Sequence, residues 1–335
     1  MDGIYRVAGQ NGSPYSMKMR AIFRYRRLPH IWQQRDAGIR AETAHVKPQM
    51  VPMVRFPEDG IWRIDSTPIA MELEARHAER SILPSDPVHR FLSDLIEDMA
   101  DEWLTKAMFH YRWFYAADRD FAAWWIASDF MEGSRPLPER RAFAAEFGAR
   151  QVGRMALVGC TDENRGAIEE SFGRIVDALE THVGLKTFLF GSRPSLADFG
   201  LFGQLKTLAD DPTPMTEMRR RAPTVVHWVR QTDDLSGIEG EWASSGAPLP
   251  DAVAKLLDVC GDSYLPFLAA NADAAERGAD EVRLTIRGRP FAQAPFRYQV
   301  KCLSRLKSLY ARLTGDDKAR ADAVLAPAGC LDWLR

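Results

Sequence analysis

The segment Ser13-Pro14-Tyr15-Ser16 combines a hydroxyl group with the start of a helix. It lies between a strand-like run and a helical one, so the Ser13 hydroxyl and the helix's first backbone N–H groups can point at one anion. A thiolate is such an anion, and each unit by which a thiol's pKa falls needs about 1.4 kcal/mol of stabilisation. An ordinary N-cap serine followed by proline explains the same residues without any ligand.

A proline stands at the head of another strand-like run, in Val51-Pro52. Proline interrupts the hydrogen bonding of a sheet and is tolerated mostly at a strand's first residue. One reason for such a proline is a cis peptide that presents the preceding backbone groups to an extended peptide ligand, which binds as an added strand. An edge proline without a ligand fits equally well.

The segment Asp65-Ser66-Thr67-Pro68 places a carboxylate, a hydroxyl and free N–H groups at a further helix start. Such a set can receive an amino-acid head group with both its ammonium and its carboxylate. A simple helix cap again accounts for the residues.

The elements that must position these segments are read from hydrophobic periodicity and turn residues. The order is βαβ and then ββα, which predicts a mixed sheet with helices on its faces. The predicted elements are a strand Ile4 to Ala8, a helix Pro14 to Arg27, a strand His30 to Arg35, a hairpin of Val51 to Phe56 and Ile61 to Ile64, and a helix Thr67 to Ala78.

Leu83-Pro84-Ser85-Asp86-Pro87 predicts a linker, because two prolines cannot continue a helix. Helical spacing then continues almost throughout to about Arg230, and beyond Asp233 the composition shifts to Gly, Ser, Ala and Pro before regular patterns return. We therefore predict three parts: residues 1–82, an all-helical part at 88–235, and a mostly helical C-terminal extension at 236–335 that packs on the helical part or the cleft.

Composition gives no sign of a macromolecular partner. The 44 basic and 46 acidic residues nearly cancel, and no long run of one sign suggests nucleic acid or a membrane surface. Without a signal-peptide pattern or an apolar run long enough to span a bilayer, we expect a cytoplasmic protein. The spacing of Cys160, Cys260, Cys302 and Cys330 lacks a metal or redox pattern, so we expect free buried thiols and no metal.

In their joint order, the three segments resemble the glutathione-binding domain of the glutathione transferase family. Ser13 to Arg20 resembles that family's first-helix signature, and Asp65-Ser66-Thr67-Pro68-Ile69 resembles its Glu/Asp-Ser-x-x-Ile element. A second resemblance lies in Gly191 to Asp198, where Ser195 and Asp198 form a capping box that opens a buried helix, as in the family's helical domain. The resemblance covers roughly Ile4 to Thr232. It implies a thioredoxin-like α/β domain followed by an all-α domain, in a bacterial-like member with an extended C-terminal region.

The resemblance also implies roles for single residues. Ser13 takes the place of the residue that activates the thiol, Val51 with Pro52 offers its backbone to the cysteinyl part of glutathione, and Asp65 with Ser66 holds the γ-glutamyl head. The residues that could meet the glycyl carboxylate are Gln49, Arg40, His45 and Lys47, and the rivals of Ser13 as thiol activator are Tyr5 and Asn11.

On this resemblance we expect an enzyme that takes glutathione as co-substrate and directs its thiolate at a hydrophobic electrophile by conjugation, dehalogenation or ether cleavage. Such an enzyme is typically a cytoplasmic homodimer with a role in detoxification. The electrophile is expected between the domains, beside the aromatic run that begins at Trp103. One alternative is a non-catalytic binding protein with the same fold. A thiol oxidoreductase is disfavoured, because Ser13 and Ser16 stand where a cysteine pair would be.

Overall fold

The structure is a computed structural model in which residues 3–131 and 135–335 are described. Its N-terminal part is a four-stranded mixed sheet with helices, in strand order β2-β1-β3-β4. The elements are β1 (Tyr5–Gly9), α1 (Pro14–Tyr25), β2 (His30–Gln34), α2 (Ala37–Glu42), β3 (Met53–Arg55), β4 (Trp62–Ile64) and α3 (Ser66–Arg76). The predicted βαβ and ββα order is confirmed, and so is the thioredoxin-like fold class.

The register of the sheet decides which loops meet. Strand β1 runs parallel to β2 and antiparallel to β3, and β3 runs antiparallel to β4. Met53, the first residue of β3, pairs with Ala8 near the end of β1 and with Ile64 at the end of β4. The end of β1, the start of β3 and the end of β4 therefore lie at one edge of the sheet, which we call the upper edge.

The following part of the chain is helical. Its α-helices are α4 (Pro87–Met99), α5 (Thr105–Phe114), α6 (Ala116–Ser128), α7 (Leu137–Val152), α8 (Arg165–Glu180), α9 (Leu196–Leu208), α10 (Pro212–Arg221) and α11 (Pro223–Thr232). A π-helical turn, Ala100–Leu104, joins α4 to α5. The capping box predicted at Ser195 is present, since its hydroxyl accepts from the Asp198 N–H and Asp198 accepts in return from the Ser195 N–H.

Two details of this helical part differ from the sequence interpretation. The sequence pattern predicts one helix from Val88 to Ala117, but α5 ends at Phe114, because Tyr115 has an extended backbone, and α6 begins directly after it. The sequence pattern also predicts a loop at Asp211 to Pro214, but these residues form the start of α10. A proline is tolerated in the first turn of a helix, and Asp118 accepts there from the Thr213 N–H at 2.7 Å.

The C-terminal extension is ordered and mostly helical. It comprises α12 (Asp251–Val259), a π-helical turn (Cys260–Tyr264), α13 (Leu265–Arg277), the antiparallel hairpin β5 (Val282–Ile286) and β6 (Arg289–Gln293), α14 (Arg297–Ala311), α15 (Gly315–Leu325) and α16 (Leu331–Leu334). The sequence pattern predicts a strand-like Glu281 to Arg287 that leads by a turn at Gly288-Arg289-Pro290 into Phe291 to Pro295, and β5 and β6 match this order. The hairpin is fixed to α5 by the buried Lys106, whose Nζ donates to Gln293 at 2.6 Å. Among the described residues, no helix combines the length and apolarity needed to span a membrane.

Helix α1 packs closely on α9 through a glycine. A Cβ atom at Gly203 would lie 2.5 Å from the Pro14 carbonyl oxygen, so a larger residue would push the start of α1 away. On the same pair of helices, the rings of Tyr25 and Phe199 lie 5.7 Å apart. The helix start that carries Ser13 is thus set by the buried helix of the helical part.

A buried lysine joins the N-terminal part to the helical part. Lys18 of α1 has a fully buried side chain, and its Nζ contacts Glu97 and lies 2.6 Å from an oxygen of Asp101. The same Nζ donates to the Thr67 hydroxyl at 3.2 Å, and this hydroxyl donates to Glu97 at 2.5 Å. One ammonium therefore ties together α1, the first turn of α3, and α4 with the π-helical turn that follows it.

Replacing Lys18 by methionine should destabilise the protein by about 3–5 kcal/mol, because two carboxyl groups then stay buried without a counter-charge. Urea unfolding at neutral pH measures the loss. A matched control is Lys206→Met, whose partly exposed ion pair with Asp210 should contribute less than about 1 kcal/mol. Equal effects of the two substitutions would contradict this account of Lys18.

Candidate functional site

Ser13 is the N-cap of α1. Its backbone is extended, its Oγ accepts a hydrogen bond from the Ser16 N–H at 3.3 Å, and Pro14 is the first helical residue. The cap suggested as the plain alternative is therefore present. Because the oxygen acts as the acceptor in this bond, its hydroxyl hydrogen is not used there and can serve a ligand. The residue lies four positions beyond the upper-edge end of β1 and is half-buried.

Val51 and Pro52 lead into β3 at the same edge. The peptide bond between them is cis, Pro52 is buried and Val51 is half-buried. Pro52 directly precedes Met53, the residue that pairs with both Ala8 and Ile64. The backbone of Val51 is thus placed beside the end of the sheet rather than within its ladder.

Asp65 and Ser66 follow β4 at the upper edge and open α3. Asp65 has a φ of +74°, a left-handed conformation that is uncommon outside glycine. Within the described chain its carboxylate makes no capping bond to α3, and Oδ2 accepts instead from the Tyr298 hydroxyl at 2.9 Å. Ser66 is the first residue of α3 and is buried. The three segments singled out from the sequence therefore come together.

Gln49 lies on the loop before β3, and its side chain binds that loop. Its Nε2 donates to the carbonyl oxygens of Thr43 at 2.7 Å and Val46 at 2.6 Å, and its Oε1 accepts from Arg35. A ligand would have to compete with these bonds. The alternatives differ: Arg40 donates to the Arg35 carbonyl at 3.0 Å, while His45 and Lys47 are exposed. A role for any of them toward the glycyl carboxylate stays a prediction.

The two rivals of Ser13 occupy different places. Tyr5 is the first residue of β1, at the end opposite the upper edge, and its buried hydroxyl donates to Glu58 at 3.0 Å and contacts His77 at 2.8 Å. This position argues against Tyr5 as thiol activator. Asn11 stays beside the site, near the Asp129 carboxylate, whose pKa is raised by burial and lowered in part by Asn11.

Sequence reasoning missed the residue that fixes the loop before Ser13. Arg112 of α5 is buried, and its guanidinium donates to the Gly12 carbonyl at 2.7 Å. It also donates to Asp211 at 2.7 Å and to the Thr207 carbonyl at 2.9 Å. The sequence could have pointed to Arg112 through its position inside an aromatic helical run, because an arginine on a buried helix needs hydrogen-bond acceptors.

Carboxyl groups crowd the side of α4 and the π-helical turn that faces the C-terminal extension. Burial raises the pKa of Asp98 to about 7 and that of Glu102 to about 8, and neighbouring carboxylates add to both shifts. The Tyr264 hydroxyl donates to Asp98 at 2.5 Å, and the Arg305 guanidinium lies 3.6 Å from its other oxygen. Among residues 3–131 and 135–335, no group of His, Cys, Asp and Glu side chains is arranged to hold a metal ion.

Comparison with known proteins bears on this architecture. Residues 154–231 match the family model for the C-terminal domain of glutathione S-transferase. No curated protein matches the chain. The match makes residues 154–231 similar to that C-terminal domain, and the two-part architecture, a thioredoxin-like sheet followed by a helical domain with its capping box, is a glutathione-transferase-like fold.

Solved structures show similarity at low identity. The β-etherase LigF from Sphingobium sp. strain SYK-6 shares 16% identity over 68% of this chain and 93% of its own, with a TM-score of 0.45. A glutathione transferase from Phanerochaete chrysosporium shares 14% over 69% and 97%, with a TM-score of 0.48. One from Methylobacterium radiotolerans, solved with glutathione sulfonate, shares 18% over 73% and 98%, with a TM-score of 0.42.

The raised pKa of Asp98 predicts a pH-dependent stability. The folded protein keeps this proton up to about pH 7, whereas the unfolded chain releases it near about pH 4. The folded state binds the proton more tightly, so this group's contribution to the free energy of unfolding falls as pH rises from about 4 to 7. Asp98→Asn imitates the protonated form and should reduce the stability difference between pH 5 and pH 8 in urea unfolding.

A matched control is Asp120→Asn, because the Asp120 side chain is 82% exposed. This variant should keep the wild-type difference between the two pH values. A difference that stays unchanged in Asp98→Asn would show that Asp98 is ionised in the folded protein throughout this range.

Proposed function

We propose that the chain binds glutathione along the upper edge of the sheet and lowers the pKa of its thiol. The observation that carries the proposal is the meeting of three segments that are distant in sequence: the Ser13 helix start, the Val51-Pro52 entry into β3, and the Asp65-Ser66 start of α3. Together they offer a donor for a thiolate, a backbone for an extended peptide, and a charged receptor for an amino-acid head.

The chemistry proposed for Ser13 is hydrogen-bond donation, not nucleophilic attack. A hydroxyl that donates to a thiolate at a helix N-terminus makes a charge-assisted bond of about 1.5–3 kcal/mol. That energy lowers a thiol pKa by about one to two units. The Ser16 N–H bond holds the Ser13 oxygen, and Arg112 holds the carbonyl of the preceding residue, so the donor is positioned before the ligand arrives.

The reaction we propose is attack of the glutathione sulfur on a hydrophobic electrophile. A sulfur–carbon bond forms while a halide or aryl oxide leaves, or while an epoxide opens and its oxygen takes up a proton. A cavity of about 320 Å³ adjoins the loop before Ser13, lined by Asn11, Met17, Arg20, Phe121, Trp125, Lys206 and Asp210. Its aromatic wall on α6, where Phe121 is 46% exposed, suits an apolar or aromatic electrophile.

Thiol exchange through the protein's own cysteines is not favoured. Cys160, Cys260, Cys302 and Cys330 are all buried. Burial raises the pKa of Cys160 to about 12 and that of Cys330 to about 12. Thiols of this kind are poor nucleophiles at neutral pH. Ser13 has no sulfur and cannot form a mixed disulfide with glutathione. The homodimer and the cytoplasmic location expected from the resemblance stay predictions.

The thiol pKa of bound glutathione tests the proposal. Ultraviolet absorbance of the thiolate, titrated in the presence of excess protein, should show a pKa about one to two units below that of free glutathione. In Ser13→Ala the pKa should return toward the free value, and turnover of electrophiles near neutral pH should fall by about 10- to 100-fold.

Tyr5→Phe is the matched control, since it removes a hydroxyl at the opposite end of β1 and should leave the thiol pKa unchanged. Tight glutathione binding without thiolate formation would support the non-catalytic alternative instead. Unchanged turnover in Ser13→Ala would move the role to another group, with Asn11 next. A panel of aryl halides, epoxides and aryl ethers would then separate conjugation, dehalogenation and ether cleavage.

A further inference from the structure

The C-terminal extension reaches the candidate glutathione site through Tyr298. This residue is near the start of α14, and its hydroxyl donates to Asp65 Oδ2 at 2.9 Å although the two residues are 233 positions apart. Tyr298 is 38% exposed and Asp65 is half-buried, so both are open to a ligand from solvent. The contact joins a residue outside the glutathione transferase resemblance to one that the resemblance places on the γ-glutamyl head.

The position of Tyr298 is fixed by its neighbours on α14. Gln299 donates to Glu102 at 3.2 Å, and Arg305, two turns further along, donates to Asp94 at 2.5 Å. Before the helix, the Phe296 carbonyl accepts from Asn271 at 3.0 Å, and its N–H donates to the same side chain at 2.8 Å. Bonds on both sides of Tyr298 thus hold the phenol against Asp65.

We propose that Tyr298 is a ligand-binding residue whose phenolic oxygen, together with the Asp65 carboxylate, receives the ammonium group of the γ-glutamyl end of glutathione. This inference rests on the proposed function. An ammonium has three hydrogens to donate, and a phenol that donates its own hydrogen to a carboxylate keeps lone pairs that can accept. The phenolic oxygen and the second oxygen of Asp65 therefore form a pair of acceptors beside one negative charge.

The charges around the pair suit this role. Burial raises the pKa of Tyr298 well above its usual value, and the adjacent Asp65 carboxylate adds to the shift, so the phenol remains a donor at neutral pH. Its bond orients Asp65, whose carboxylate is not used to cap its own helix within the described chain. Among the described residues, no arginine or lysine side chain bonds to the Asp65 carboxylate. An ammonium that binds to Tyr298 and Asp65 would supply the missing positive charge.

The opposite interpretation is that the phenol blocks the site, because its hydroxyl occupies the Asp65 oxygen to which the ammonium would donate a hydrogen bond. The two readings predict opposite effects of removing the hydroxyl. If Tyr298 is a ligand-binding residue, its loss weakens glutathione binding, and if it blocks the site, its loss strengthens binding.

The experiment is isothermal titration of glutathione into the full-length wild type and Tyr298→Phe. We expect about tenfold weaker binding by the variant, the effect of losing one hydrogen bond to a charged group. An analogue of glutathione with a glutaryl group in place of γ-glutamyl, which lacks the ammonium, should bind equally to both proteins. The thiol pKa of bound glutathione should be the same in both.

Tyr310→Phe is the matched control, because it removes a phenol on the same helix that donates to Asp322 at 2.5 Å, away from the site. Urea unfolding of each variant checks that α14 stays in place. Unchanged or tighter glutathione binding by Tyr298→Phe would overturn this inference alone, as would an equal loss of affinity for the glutaryl analogue. A wild type that binds no glutathione would overturn the proposed function and this inference together.

Discussion

One buried ammonium holds the architecture in place. Lys18 cannot lie in the interior without counter-charges, since an unpaired buried charge is among the most unfavourable groups in a protein. Its partners, Glu97 and Asp101, lie on the helical part, and its third contact, Thr67, stands directly after Asp65-Ser66. A single side chain therefore connects the helix that begins at Ser13, the helix start that follows Asp65, and the first helices of the helical part.

Much of the site follows from the sequence because each segment adjoins the end of a strand. Ser13 follows β1, Val51-Pro52 precedes β3 and Asp65-Ser66 follows β4, and they share an edge because β3 runs antiparallel to both β1 and β4. Contacts across the chain could not be found in this way. Lys18 meets residues 79 and 83 positions away, and Arg112 meets Asp211. Periodicity reports that a helix has a buried face, but not which distant charge that face requires.

Two segments far apart in the sequence flank the proposed thiol site. On one side Asp129, which follows α6, lies near Asn11, and the Arg40 guanidinium lies 5.9 Å from the centre of the Phe130 ring. On the other side α14 contacts Asp65 through Tyr298. The first of these segments follows α6, which begins after the helical break at Tyr115. The sequence did not predict this break, because helical spacing continues through it. In the proposed function, the upper edge of the sheet thus supplies the groups that bind glutathione, while the two flanking segments limit which electrophile can lie beside its thiol.

The extension is tied to the rest of the molecule by charge as well as by apolar contact. Arg305 of α14 faces Asp94 and Asp98 of α4, and Arg320 of α15 faces Asp86 at the start of α4. In a chain that stopped near residue 235, these carboxyl groups would lose their cations and the apolar cover that now surrounds them. The C-terminal extension therefore supplies both cations and apolar cover to α4, so we expect the helical part to be less stable without it.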